Sequence, residues 1–173
     1  MRRPHIKNSL FVLTSAVLAL SLTACSGAGP NAATRLIKQV TDGVEAKITT
    51  DGNNLTVTNF LLVATEDGSA VVVGTIVNHA QEDDALLGIS AGGSQARITG
   101  IQSLKTDEPV RFEGEMATSK AVFSGVNAQP GHRVQVQLAF ARAGVVTLSA
   151  IIRDKRDAYA NVTTGAALTT AKK

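Results

Sequence analysis

The sequence is poor in the residue types that mark many catalytic, metal-binding or disulfide-linked proteins. Its 173 residues include one cysteine, no tryptophan, one tyrosine and five phenylalanines. A single cysteine cannot form an internal disulfide, so the fold has to be held together by its core. So few aromatic rings leave no evident stacking platform for bases or sugars.

The charge balance also excludes a class of partner. The chain has 17 Lys and Arg residues against 14 Asp and Glu residues, a formal net charge of +3. Three of the 17 basic residues and none of the acidic ones lie before residue 25, which leaves 14 of each sign from there onward. A near-neutral chain does not present the basic surface of a nucleic-acid-binding protein, and we expect no nucleic-acid partner.

The first 25 residues have the three zones of an export signal. Three basic residues precede an uncharged apolar run from Leu10 to Leu22, which Thr23, Ala24 and Cys25 follow. The run is shorter than the roughly 20 residues of a transmembrane helix. Leu-Thr-Ala-Cys resembles the lipobox of bacterial lipoproteins, whose cysteine receives a diacylglycerol and becomes the first residue after cleavage. An ordinary signal peptide cut elsewhere and an uncleaved anchor helix are the alternatives.

This interpretation divides the chain into four parts. We predict a lipoprotein signal peptide at 1–24, the lipidated cysteine and a tether at 25–40, a domain at 41–153 and a disordered tail at 154–173. Residues 34–43 fit either a short helix or an extended lead-in. The expected location is the extracytoplasmic face of the cell membrane, where several acyl chains, at about 0.8 kcal/mol per buried methylene, give a stable anchor. The expected partners are membrane lipid and an envelope or respiratory membrane protein complex.

Abundant β-branched residues and regularly spaced turns predict an all-β domain. About eight strands without alternating helices are typical of an antiparallel Greek-key sandwich of the cupredoxin or immunoglobulin type. The pattern is extended from Val44, and the clearest predicted strands are 55–65, 70–78, 85–90, 96–101, 110–113, 121–126, 134–142 and 145–153.

One predicted strand shows which side chains face the core. Apolar residues alternate with others along its length, as in a half-buried strand: Val134, Val136, Leu138 and Phe140. We expect these four to point inward, with Ile76 and Leu61 among their neighbours. Tyr159 is expected to dock locally.

Three stretches resemble known proteins. AVVVGTIVNHAQEDDALLGISA (70–91) and PGHRVQVQLAFARAGVVTLSAIIR (130–153) resemble segments of the PCu(A)C-type periplasmic copper chaperones. VEAKITTDGNNLTVTNFLLVAT (44–65) resembles the entry strands of actinobacterial envelope lipoproteins of the LpqE type. The resemblance implies a cupredoxin-like sandwich, and in the copper-binding members it implies delivery of Cu(I), notably toward cytochrome oxidase.

The chain departs from that family at the metal ligands. The chaperones hold Cu(I) with histidine and methionine side chains, including a His-x-Met pair, and this donor set suits a soft ion. No His-x-Met occurs here, and the strand at 96–100 that should end in a histidine reads Ala-Arg-Ile-Thr-Gly. We therefore predict no metal and no cofactor. An alternative Cu(I) site would have to use Met116, His79 and His132, because they are the only methionine and histidines after Cys25.

Two further sequence patterns are better explained without a catalytic or a calcium-binding site. Residues 88–92 match Gly-x-Ser-x-Gly, but the nucleophile elbow of hydrolases needs a helix after the turn, whereas Gly-Gly-Ser and another predicted strand follow. The acidic groups at 82–84 and 107–108 lack the ligand pattern of an EF-hand and are interpreted as solvated loops. The sequence thus predicts a non-catalytic binding or scaffold module, and the alternative is a copper metallochaperone with a non-standard site.

Overall fold

Eleven strands and one short 3₁₀-helix run through residues 41–165, the part of the chain that the computed structural model describes. The predicted signal peptide, the lipobox, Cys25, the tether and residues 166–173 lie outside the described residues. The strands are β1 Val44–Ile48, β2 Leu55–Ala64, β3 Ala70–Asn78, β4 Asp84–Ala91, β5 Ser94–Gln95, β6 Arg97–Gly100, β7 Ser103–Leu104, β8 Val110–Arg111, β9 Ser119–Phe123, β10 Arg133–Phe140 and β11 Val145–Arg153.

The strands form two layers around one main core, which confirms the predicted all-β sandwich. The hydrogen-bonded order is β5-β4-β10-β11-β2-β3-β9-β6, with β1 beside β2. The layers join at a short parallel pairing of Ile152 with Leu62 and Arg153 with Val63. At the opposite edge the chain crosses between layers at Ala96, which separates β5 from β6. Both edges of the sandwich are therefore nearly closed.

The predicted inward face of β10 is confirmed. Ile76 lies in the same core, as predicted. Val136 and Leu138 are fully buried and Phe140 is 3% exposed, while Val134 is half-buried and packs against the same cluster. Every second side chain of a strand lies on the same face, so the alternating sequence pattern is sufficient to predict which side chains of β10 are buried.

The prediction for Leu61 is wrong, because β2 contains a bulge. Asn59 lies in the left-handed region at φ 49°, and the β2–β3 register shifts between Thr58 and Leu61. One extra residue reverses the alternation, so Phe60 faces the main core and Leu61 faces the outside of the sheet. The Asn59 carboxamide accepts a hydrogen bond from the Gly43 amide at 2.9 Å.

Asp51, in the turn between β1 and β2, has a similar positive φ angle of 53°. Both residues occupy the left-handed region, which Asn and Asp tolerate better than other side chains. On the neighbouring strand Gly74 lies opposite the bulge, where a Cβ would approach the Phe60 Cα to 3.2 Å. A residue without a side chain is therefore needed where β3 passes the bulge.

The structure also differs from the predicted disordered tail, since residues 154–165 fold back over the sheet. We call this segment the strap. Its Val162 is 5% exposed and packs with Leu61 and Val63 in a second cluster on the outer face of β2 and β3. The sequence of the strap has no periodic pattern, so it did not predict this contact. A single buried valine is enough to cover the apolar face that the bulge creates.

Tyr159 anchors the same strap, as expected. Its ring packs against the second cluster, and its hydroxyl donates a hydrogen bond to the Asp42 carboxylate at 3.3 Å. Burial, followed by the nearby negative charge of Asp42, raises the pKa of the Tyr159 hydroxyl. Arg153 lies 3.5 Å from the same carboxylate. The strap is thus tied to the beginning of the described chain.

The predicted strand limits are correct where long strands begin shortly after clear turns. β3 and β11 match 70–78 and 145–153 without change. The turn between β2 and β3 is fixed by Asp67, whose carboxylate accepts hydrogen bonds from the Thr65 hydroxyl and the Ser69 amide. These bonds stabilise the ionised form and lower the pKa of Asp67.

Elsewhere the limits and the number of strands differ from the prediction. The structure has eleven strands within 41–165, and β5 and β7 are two-residue strands that a sequence pattern does not reveal. The strands predicted at 85–90, 96–101, 110–113 and 121–126 are observed with other limits: Asp84–Ala91, Arg97–Gly100, Val110–Arg111 and Ser119–Phe123. Strand ends depend on how far the partner strand extends, which local sequence does not encode. No helix within residues 41–165 is long and apolar enough to span a bilayer.

Candidate functional site

The two ends of the sandwich are defined by the pairing of β4 with β10. These strands are antiparallel, with Leu86 opposite Phe140 and Ala91 opposite Val136. One end, which we call the Asp84 end, therefore holds the start of β4 and the β10–β11 turn. The other, the Gly92 end, holds the β4–β5 turn and the start of β10.

His79 lies at the Asp84 end. It follows the last residue of β3, and its amide donates a hydrogen bond to the Asn54 carbonyl at 2.7 Å. The Nδ1 atom of its exposed ring lies 2.6 Å from a carboxylate oxygen of Asp107. The preceding Asn78 is buried and donates to the carbonyls of Glu82 and Leu104. These contacts fix the position of the loop, and the imidazole has a carboxylate partner at its surface.

The acidic residues of this end have structural partners. Asp84 is 5% exposed, and its carboxylate accepts hydrogen bonds from the amides of Ala85, Arg142 and Ala143. This side chain closes the β10–β11 turn, because it satisfies donors that would otherwise lack partners. Glu82 pairs with the Arg142 guanidinium at 2.7 Å. The prediction that residue 84 belongs to a solvated loop is therefore wrong, since the charge pattern does not show which carboxylate points inward.

His132 lies at the Gly92 end. It immediately precedes β10, and its carbonyl accepts a hydrogen bond from the Ile152 amide at 2.8 Å. Its neighbour Gly131 donates to the Ile152 carbonyl at 2.8 Å. These backbone bonds seat the turn before β10 against the end of β11, and the histidine is exposed.

Met116 occupies a third place, in the loop between β8 and β9. Its side chain is 72% exposed. The loop leaves the sheet beside the middle of β3, where the Phe112 amide donates to the Gly74 carbonyl at 3.0 Å. It closes on itself through a bond from the Thr118 amide to the Arg111 carbonyl at 2.9 Å.

The structure does not bring the three predicted candidates together. β10 separates the two histidine ends, and its eight residues span about 23 Å at roughly 3.3 Å per residue. Ligands that share one ion lie about 2 Å from it. His79 and His132 therefore cannot bind the same ion within one molecule. Within the described part of the chain, no group of three or more His, Cys, Asp or Glu side chains is placed to hold a metal ion.

The Gly-x-Ser-x-Gly pattern falls on a strand and a hairpin. Residues 88–91 belong to β4, and Gly92 and Gly93 turn the chain with φ values of 55° and 84° directly into β5. The elbow of a hydrolase places its serine between a strand and a helix. Ser90 instead lies within a strand that pairs with β10.

Solved PCuAC domains have the same fold. The apo PCuAC domain from PmoF1 aligns with a TM-score of 0.52 and 20% identity, covering 64% of this chain and 99% of that one. The copper-bound PCuAC domain from PmoF2 gives a TM-score of 0.53 at 18% identity, with 64% and 98% covered. The apo PmoF2 domain gives 0.50 at 17% identity, with 66% and 96% covered.

At this level of identity the likeness establishes the fold. The domain is an all-β, cupredoxin-like sandwich of the PCuAC type. No family model matches the chain, and no curated protein matches it.

Proposed function

We propose that this chain is a lipid-anchored, extracytoplasmic module of the cell envelope that binds a partner and does not catalyse a reaction. The observation that carries the proposal is the placement of His79 and His132 at opposite ends of a PCuAC-type sandwich. The fold is kept, but this chain's histidines do not converge on one site. The role that remains for such a scaffold is binding through its surface.

The anchor rests on the sequence before the domain. A basic start, an apolar run and Leu22-Thr23-Ala24-Cys25 precede a domain that begins near residue 41. The lipobox and the resemblance of residues 44–65 support an actinobacterial envelope lipoprotein of the LpqE type. Capture of the chain with its neighbours from detergent-solubilised membranes would identify an envelope or respiratory partner complex.

Cys25→Ser tests the anchor. We expect the variant to remain unprocessed or to leave the membrane fraction, because a hydroxyl does not replace the thiol that accepts the diacylglycerol. Asn31→Ala, beyond the lipobox, is the control and should fractionate with the unmodified chain. A Cys25→Ser chain that is cleaved and stays in the membrane fraction like the control would refute the lipoprotein proposal.

A copper metallochaperone serving cytochrome oxidase is the second candidate. It is favoured by one observation, that a solved domain of the same fold, from PmoF2, is copper-bound. In this chain Met116 and one histidine would supply at most part of a donor set, so further ligands would have to come from a partner protein. This candidate therefore requires a site shared between two molecules.

A further inference from the structure

The Gly92 end holds a small, mostly apolar pocket. None of the three candidate metal ligands lines it. It has a volume of about 170 Å³ and opens between the two layers. Its walls come from both layers and from the loop before β10, and they include Leu62, Phe123, Val126, Ala128, Val134 and Ile152. An apolar group placed among these side chains is removed from water, which is favourable.

A polar groove lies on the other side of the same β4–β5 turn. It is lined by hydroxyl and carboxamide side chains of β4, β5 and β10, including Ser90, Gln95, Gln135 and Gln137. Gln95 reaches over Gly88, where an added Cβ would lie 3.1 Å from its Nε2 atom. Each carboxamide offers donors and an acceptor, so the groove can bind hydroxyl groups through hydrogen bonds.

The two cavities adjoin each other and share one electrostatic character. Ala91, Gly92 and Ser94 line both of them. Among the described residues that line either cavity, none is charged. A charged group in either cavity would find no ion partner in the lining to offset any water that it loses. An uncharged ligand with one apolar and one hydrogen-bonding part complements this lining.

We propose that the Gly92 end binds a neutral amphiphile, with its alkyl chain between the layers and its hydroxyl-bearing head on the glutamine groove. The alkyl chain gains dispersion contacts with the apolar side chains of the pocket. The head is held by hydrogen bonds and not by stacking on aromatic rings. The proposal rests on the proposed binding function and names its ligand class. It requires neither the Cys25 anchor nor copper, so it fails or holds independently of both.

The test uses the chain from residue 26 to residue 173, which includes all of the described residues. Three probes are compared. Octyl glucoside below its micelle concentration carries both parts, glucose only the head, and octanoate a charged head on an alkyl chain. We expect calorimetry to show octyl glucoside binding at least about tenfold more tightly than glucose or octanoate, a tenfold change being about 1.4 kcal/mol. Equal affinity for octanoate and octyl glucoside would overturn the proposal.

Two variants locate the binding. Ala128→Phe fills the pocket and should weaken octyl glucoside binding at least about tenfold, whereas Ala141→Phe, exposed at the Asp84 end, should not. Gln137→Ala removes a groove carboxamide from an exposed position and should weaken octyl glucoside binding, with Gln81→Ala as its control. If Ala128→Phe does not fold, Gln137→Ala still decides. Affinity unchanged in Gln137→Ala and in a folded Ala128→Phe would overturn the assignment of the site.

Discussion

Phe140→Ala is expected to lower the free energy of unfolding by about 3–5 kcal/mol, as for other buried aromatic residues. The ring is 3% exposed and belongs to the main core, beside the position where β4 bulges at Leu87. Its removal leaves a cavity that the paired strands around it cannot close. Chemical denaturation followed by circular dichroism measures the change.

Gln135→Ala on the same strand is the matched control. Its side chain is exposed, so its effect should stay within about 0.5 kcal/mol. A Phe140→Ala chain whose denaturation midpoint and slope equal those of the control would contradict the packing of β10 against the core.

Lys120→Met is expected to cost about 3–5 kcal/mol, because it removes one partner of a buried ion pair. The Lys120 side chain is 7% exposed and the Glu113 side chain 14%, with Nζ 2.9 Å from Oε1. The Oε1 atom of Glu113 is buried and accepts no well-aligned hydrogen bond. Its contact with Lys120 is therefore an ion pair without hydrogen-bond geometry. Nζ also donates to the Thr163 carbonyl at 2.6 Å and so holds the strap.

A double variant separates the ion pair from the packing. Lys120→Met with Glu113→Leu removes both charges and should recover much of the lost stability, because no unpaired charge remains buried. Thermal unfolding of both variants provides the comparison. A single variant as stable as the unmodified chain would show that Glu113 is solvated without its partner.

The sequence predicts the strands well where they are long and begin shortly after a clear turn. β3 and β11 are of this kind, and their limits are correct because turn residues, Asp67-Gly68 and Ala143-Gly144, come shortly before them. The error at Leu61 arises from a single residue, Asn59, whose left-handed conformation reverses the face of every later side chain in β2. Local propensity does not show that an asparagine within an apolar run forms a bulge and not a continuous strand.

The placement of the candidate ligands depends on topology more than on spacing. His79 follows β3 and His132 precedes β10, and both strands run toward the Asp84 end. A residue after one such strand and a residue before the other must lie at opposite ends. The direction of β10 follows from its pairing with β4, which is distant in sequence. The spacing of the candidate ligands along the chain therefore did not show that the two histidines lie at opposite ends.

The glutamines of the groove could have been found from the sequence. Two of them, Gln135 and Gln137, occupy outward positions of β10, the alternating strand whose inward positions were predicted correctly. Polar residues on an outer face are ordinary, however, and only the position of the β4–β5 turn beside them creates a groove. The pocket between the layers could not be predicted, because it is formed by residues from distant parts of the chain.

A Cu(I) titration of residues 26–173 against a competing chelator, with Met116→Leu in parallel, tests directly whether the candidate ligands are separated. We conclude that this PCuAC-type fold does not assemble its histidines and methionine into one site. We therefore predict no stoichiometric Cu(I) binding by the monomer and no difference between the two proteins. One tightly bound Cu(I) per chain that is lost in Met116→Leu would contradict the claim and support the metallochaperone.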